Sequence, residues 1–224
     1  MTKFFNTSGV VDGDTITIVD KNGLDFVDET FTSPTKFNGK KIRLFFTGDS
    51  AHYNREGKYW FNLNNIVYFN AVGWKAYNLN FLKSCTSLEE ISISYSDIVN
   101  IGPLKDVTSL TKIDLHNNKI ADLSPLSTKI GLQTLDVNDN EITSLLPLQT
   151  LTSLQTLKIN RNSLFEWTQA DENSEPVTNL SILVRLNSNQ TPKIGSLSEL
   201  EIAGNTNIKN WDDFNGVIWA RLVK

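Results

Sequence analysis

The sequence predicts an α/β solenoid, with short parallel strands on a concave face, 3₁₀ or irregular returns on a convex face, and a β-rich N-terminal cap. Three observations carry this reading. Leu88, Leu110, Leu132 and Leu154 fall twenty-two residues apart, and each opens the same phrase of apolar, two variable, apolar, one variable, apolar. Ile91 and Ile93, Ile113 and Leu115, Leu135 and Val137, and Leu157 and Ile159 complete it. Ser96, Asn118, Asn140 and Asn162 follow at a constant place, and Pro103, Pro125 and Pro147 recur with the same period. A fixed period of this length means one supersecondary unit per repeat, stacked so that neighbours bury each other's apolar sides.

Residues 1–62 lie outside the rhythm and are expected to form the cap. Thr15 to Val19 is a β-branched run between the turn sequences Asp12-Gly13-Asp14 and Lys21-Asn22-Gly23. Leu24 to Phe31 is a weaker strand candidate, and Lys40 to Phe46 alternates with Ile42, Leu44 and Phe46 on one side. Residues 63–209 are assigned to the solenoid. Its first repeat is degenerate, with Leu63, Ile66 and Tyr68 in the apolar slots, Ala71 in the asparagine slot, and twenty-five residues before Leu88. In the regular repeats, Ile101, Leu104 and Val107, or Leu145, Leu148 and Leu151, are spaced by three, as a 3₁₀ return requires.

After Leu164 the rhythm loosens into the acidic stretch 165–176. Placing Asn189 in the asparagine slot gives intervals of twenty-seven and sixteen, and sixteen is too short for a repeat of this kind. Placing Val177, Leu180 and Ile182 in the apolar slots gives twenty-three and twenty, and puts Arg185 in the asparagine slot. The second register is therefore the expected one. Leu197, Leu200, Ile202 and Asn205 form a regular last repeat. Residues 210–224 are expected to close the stack, with Trp211, Phe214 and Trp219 over the final coil and a strand within Val217 to Val223.

Composition excludes several function classes. No apolar run approaches the roughly eighteen residues that span a bilayer, so no membrane insertion is expected. Residues 1–9 do not read as a secretory signal, which places the chain in the cytoplasm or an assembled particle unless a leader has been removed. A single cysteine, Cys85, gives no disulfide framework and no cysteine-based metal site. A net charge of −4 argues against nucleic acid as a partner.

The asparagine column Asn118, Asn140, Asn162 and Asn205 is expected to be structural, because an inward asparagine offers a donor and an acceptor to backbone groups that a solenoid turn leaves unpaired. Strand alternation points other residues outward. Asp114, Asp136 and Lys158 fall in one column with Ser181 and Glu201, and His116, Asn138 and Asn160 fall in the next with Ser94 and Leu183. Tyr95, Asn117, Asp139 and Arg161 lie beside them. A partner-binding strip on the concave face fits these side chains, and a protein is the expected partner. Asp114, His116 and Asp136 come near one another without a nucleophile, so no catalytic residue, metal or cofactor is assigned to them.

Leu110-Thr111-Lys112-Ile113-Asp114-Leu115, Asn118-Lys119-Ile120 and Leu123-Ser124-Pro125-Leu126 are typical of a leucine-rich repeat, and Leu88 to Leu164 resembles the repeats of the internalin family of bacterial surface proteins. The resemblance implies a non-catalytic module that binds a protein or a surface glycan. Another reading makes the chain a structural or receptor-binding component of a larger assembly such as a phage particle. A third rests on Val10-Val11-Asp12-Gly13-Asp14-Thr15-Ile16, Ile42-Arg43-Leu44 and Gly48-Asp49, which are similar to stretches of staphylococcal-nuclease-like domains. That likeness implies a divergent calcium-dependent nuclease, with Asp14 and Asp49 on calcium and Arg43 on the scissile phosphate. The family's proline and glutamate are replaced by Ser50, Ala51 and His52.

Overall fold

The computed structural model describes residues 7–12, 15–20, 41–47, 66–73, 79–164, 169–170, 176–177, 179–186, 196–205 and 221–223. The chain divides into two compact units, Met1–Leu110 and Thr111–Lys224.

In the first unit, β1 (Thr7–Asp12) pairs antiparallel with β2 (Thr15–Asp20), with Asp12 opposite Thr15. Among the described strands of this unit the pairings that follow are parallel. β2 pairs with β3 (Lys41–Thr47), β3 with β4 (Ile66–Val72), and β4 with β5 (Glu90–Ser94). Parallel stacking therefore begins well before residue 63, because β2 and β3 lie in the same ladder as the repeat strands. Leu24 to Phe31 lies outside the described residues.

The structure corrects the register of the degenerate repeat. Phe69 stands opposite Ile91 and Ala71 opposite Ile93, so the inward slots are Ile66, Phe69 and Ala71, each fully buried. Ile66 is twenty-two residues before Leu88, and the period holds without a longer first repeat. Tyr68 belongs to the outward side. The misreading arose because Leu63-x-x-Ile66-x-Tyr68 matches the apolar phrase as well as Ile66-x-x-Phe69-x-Ala71 does. The pairing with β5 and the burial of Phe69 and Ala71, with Tyr68 only half-buried, separate the two.

In the second unit, β6 (Lys112–Asp114), β7 (Thr134–Asp136) and β8 (Thr156–Lys158) stack in parallel and in register, with Ile113 opposite Leu135 and Leu135 opposite Leu157. The chain then leaves the stack. β9 (Gln169–Ala170) and β10 (Pro176–Val177) pair antiparallel, and α1 (Asn179–Leu186) follows. The chain rejoins at β11 (Glu199–Glu201), which pairs directly with β8, and ends on β12 (Arg221–Val223) beside β11. Trp211, Phe214 and Trp219 lie outside the described residues.

The helix overturns the expected register at Val177, Leu180 and Ile182. β11 pairs directly with β8, so among the described residues no repeat strand intervenes between them. The apolar spacing admits both readings, but a strand with Ile182 inward would turn Leu183 to solvent. The helix buries Ile182, Leu183 and Leu186 together. Ser181, Leu183 and Arg185 consequently leave the strand columns.

The returns are 3₁₀, as their spacing requires. Turns at Gly102–Asp106, Ser124–Leu126 and Leu146–Leu148 each carry proline in the first positions, where a missing N–H breaks no bond. In the second unit Leu126 N–H donates to Leu123 O at 2.9 Å and Lys129 N–H to Leu126 O at 2.9 Å. Side chains three apart eclipse in such a turn, so Leu123, Leu126, Lys129 and Leu132 all point inward and are buried.

Candidate functional site

The asparagine ladder fixes the coils on which any site must sit. Asn140 Nδ2 donates to Leu115 O at 2.9 Å, Val137 O at 3.2 Å and Asn138 O at 3.1 Å, while its Oδ1 accepts Ile120 N–H at 3.0 Å. Asn162 repeats the arrangement one coil later, on Val137 O, Ile159 O, Asn160 O and Ile142 N–H. Asn118 bonds Leu115 O and His116 O, and Asn205 bonds Ile159 O and Ile202 O. Among the described residues no donor reaches the buried Asn205 Oδ1, at the point where the long excursion interrupts the stack.

On the outward side of the second unit, Asp114, Asp136, Lys158 and Glu201 stand directly opposite one another across β6, β7, β8 and β11. Lys158 Nζ lies 3.3 Å from Glu201 Oε1. His116 Nδ1 is 2.6 Å from Asp114 Oδ1, which also accepts the His116 backbone N–H at 3.2 Å. Asp136 Oδ1 accepts Asn138 N–H at 3.1 Å. Burial pushes the Asp136 carboxyl above the usual carboxylate range; the Asn138 N–H opposes the shift and the charge of Asp114 adds to it.

This fixes a sign. A carboxyl whose folded pKa is raised destabilises the fold increasingly as pH rises from the ordinary value through the raised one, and the penalty is full above it. Asp136→Asn keeps an acceptor for Asn138 N–H and removes the charge. Its melting temperature is expected to equal or exceed the parent's at pH 7, with the difference shrinking as pH falls below the raised pKa. Thermal unfolding at pH 7 and at pH 3 checks this; a variant less stable at pH 7 than at pH 3, relative to the parent, would reverse the sign.

The next column is more structural than its sequence suggests. Asn160 is buried, its Oδ1 accepts Ala203 N–H at 2.6 Å, and its Nδ2 donates to Glu201 Oε2 at 3.2 Å. Asn138 Oδ1 accepts Asn160 N–H at 2.6 Å. The three-residue strands end here, and side-chain amides carry the ladder one step further, so Asn160 is not an open contact residue. Ser94, in the first unit, is also buried.

Just beyond the strands the backbone turns left-handed. Tyr95, Asn117, Asp139 and Arg161 have φ of 54°, 54°, 54° and 51°, and Gly73 and Gly204 take the equivalent place in their coils. Asn and Asp tolerate this region; Tyr and Arg adopt it at a cost of roughly 1–2 kcal/mol. Arg161 Nη2 donates to Asp139 Oδ2 at 2.5 Å and its Nε to Oδ1, and this pairing holds the Asp139 carboxyl below the usual range. Gly204 has its own reason, since a Cβ there would lie 2.8 Å from Arg161 Cγ. Tyr95 is 61% exposed and Arg161 is also exposed, so burial does not offset their strain.

Sequence reasoning missed an aromatic group on the outward side of the first unit. The Arg43 guanidinium lies 4.4 Å over the Tyr68 ring, and the Phe45 and Tyr68 rings are 4.8 Å apart. Alternation with Ile42 and Leu44 in the sequence puts Phe45 on that side, but the apolar phrase Leu63-x-x-Ile66-x-Tyr68 points Tyr68 inward. Arg43, the residue of the nuclease reading, thus stacks on an aromatic ring within a parallel ladder, not in an antiparallel barrel. Asp14 and Asp49 lie outside the described residues. Cys85 is buried, and burial pushes its thiol up to about 12, so it holds almost no thiolate at neutral pH. Among the described residues no helix is long and apolar enough to cross a membrane.

The family model described as leucine rich repeats, two copies, matches residues 78–128. No curated protein matches the chain. Among solved structures, an internalin (InlF) of Listeria monocytogenes is similar with a TM-score of 0.61 at 17% identity, over 88% of this chain and 57% of that one. Internalin C2 of the same organism is similar with a TM-score of 0.64 at 18% identity, over 92% of this chain and 79% of that one. The functional domain of InlJ, also from Listeria monocytogenes, gives 0.51 at 15% identity, over 91% of this chain and 48% of that one. The fold is an internalin-like leucine-rich-repeat solenoid, and the chain spans little more than half the length of the InlF structure.

Proposed function

We propose that this internalin-like solenoid is a non-catalytic module that recognises another protein with the outward side of its sheet, through Tyr95 in the first unit and Asp114, His116, Asn117, Asp136, Asn138, Asp139, Lys158 and Arg161 in the second. The observation that carries the reading is the left-handed column. Gly73 and Gly204 occupy that place without strain, whereas Tyr95 and Arg161 hold exposed side chains there at an energetic cost. Exposed tyrosine and arginine, positioned by a rigid ladder, are the side chains most often found at the energetic centres of protein interfaces. Within each unit the repeat architecture supplies the rest, because stacked coils present a broader surface than one short loop could.

Tyr95→Gly separates function from stability. It relieves the left-handed strain, so the melting temperature is expected to stay level or rise, while affinity for the partner falls at least tenfold, about 1.4 kcal/mol. Arg161→Ala is expected to weaken binding similarly, and Lys105→Glu, on the exposed return, to leave it unchanged. A protein captured on the parent and identified supplies the ligand, and titration calorimetry measures the three variants. Full affinity in Tyr95→Gly and Arg161→Ala, with loss in Lys105→Glu, would move the binding surface to the returns.

A further inference from the structure

We propose that Asp114, His116 and Asp136 form a three-ligand site for a first-row divalent transition-metal ion of zinc-like preference. One ligand atom from each residue can be chosen so that all three lie within 4.8 Å of one another. The proposal concerns the metal alone and stands whether or not a protein partner uses this side of the sheet.

Geometry comes first. Asp114 and Asp136 face each other across paired β6 and β7, and His116 follows Asp114 by two residues, where alternation returns its ring to the same side. The side chains of His116 and Asp114 are 30% and 27% exposed, open enough for an ion to reach and covered enough to hold their directions. Zinc bound to nitrogen and oxygen at about 2.0–2.1 Å sets its ligand atoms roughly 3.3 Å apart. The closest pair, His116 Nδ1 and Asp114 Oδ1 at 2.6 Å, would open by less than about 1 Å.

The donor set selects the ion. Calcium and magnesium take oxygen alone and usually six or more ligands, whereas an imidazole nitrogen with two carboxylates suits zinc and its neighbours. Charge agrees with this. Lys158, the cation next in the column, lies 3.3 Å from Glu201, and the carboxylates Asp114 and Asp136 stand directly opposite each other on β6 and β7. A dication between them would replace repulsion with attraction. Three protein ligands leave at least one coordination position open to water or to an incoming side chain.

Competing soft donors are few, since the chain has two histidines, His52 and His116, and its one cysteine is buried. The test is titration of Zn²⁺ into the metal-stripped full chain by calorimetry, with the variants Asp136→Asn, His116→Gln and His52→Gln. Saturable binding at one ion per chain is expected, weakened at least tenfold in Asp136→Asn and His116→Gln and unchanged in His52→Gln. Co²⁺ in place of zinc is expected to give visible absorption that His116→Gln abolishes, and Ca²⁺ to give no saturable heat. Asp136→Asn is nearly isosteric, so its unfolding curve without metal shows whether the fold is intact. No binding of Zn²⁺, binding that survives both site variants, or binding lost only in His52→Gln would mean an adventitious ion only and would overturn the proposal.

Discussion

Asn140→Leu is expected to destabilise the protein by about 3 kcal/mol, a fall in melting temperature of roughly 6–12 °C. The carbonyls that Asn140 serves keep a second donor: Leu115 O has Asn118 Nδ2, Val137 O has Asn162 Nδ2, and Asn138 O has Asn117 N–H. Ile120 N–H, by contrast, reaches no acceptor besides Asn140 Oδ1 among the described residues, and Ile120 is fully buried. Leaving that donor unpaired costs about 1–3 kcal/mol, and three further bonds from Nδ2 are lost with it. Leucine matches the neighbouring side chains in polarity, so a simple preference for apolar residues in the core would predict the opposite sign. Thermal unfolding of the variant decides between them; a melting temperature within 2 °C of the parent, on the order of half a kcal/mol, would remove the ladder from the account of stability.

The second large effect runs the other way. Lys129→Leu is expected to raise stability by about 2 kcal/mol, or roughly 4–8 °C. Lys129 is 1% exposed and occupies the inward place that Val107 and Leu151 fill in their coils. The 3₁₀ turn that buries it is held by Lys129 N–H to Leu126 O and Leu132 N–H to Lys129 O, both at 2.9 Å, and leucine keeps both bonds. Removing water from an ammonium costs several kcal/mol, and the expected gain is that cost less the bonds the amino group makes in the fold and the penalty of leaving its partner behind. Lys129→Met is expected to gain as well, and Lys129→Ala to lose stability through the cavity it leaves. Lower melting temperatures for both Leu and Met would show that the amino group itself ties the return together.

These two residues mark how far the sequence could be read. The asparagine column was legible because its function is local and periodic: one amide per coil, always at the same distance from the apolar phrase. Lys129 is not legible in the same way, because a lysine in a return reads as exposed, and only the eclipsed geometry of the 3₁₀ turn places it inside. Tyr95, Asn117, Asp139 and Arg161 could be put beside the strands by counting. Their left-handed backbone could not, since two of the four are residues that ordinarily avoid it.

The sequence by itself determined the solenoid, its twenty-two-residue period, the structural asparagines and the 3₁₀ returns. Each of these follows from spacing along the chain, which a repeat converts directly into stacking because every coil packs against its neighbours. Tertiary structure alone decided the register at Phe69 and Ala71, the helix Asn179–Leu186 in place of a strand, and the burial of Asn160. In the first two the apolar spacing fits two arrangements equally, and what separates them is which side chains the neighbouring coil covers. In the last, Asn160 meets Glu201 and Ala203, forty-one and forty-three residues away, across the sheet, where side-chain direction and hydrogen-bond supply are set by the adjacent strand and not by the residue's own neighbours in sequence.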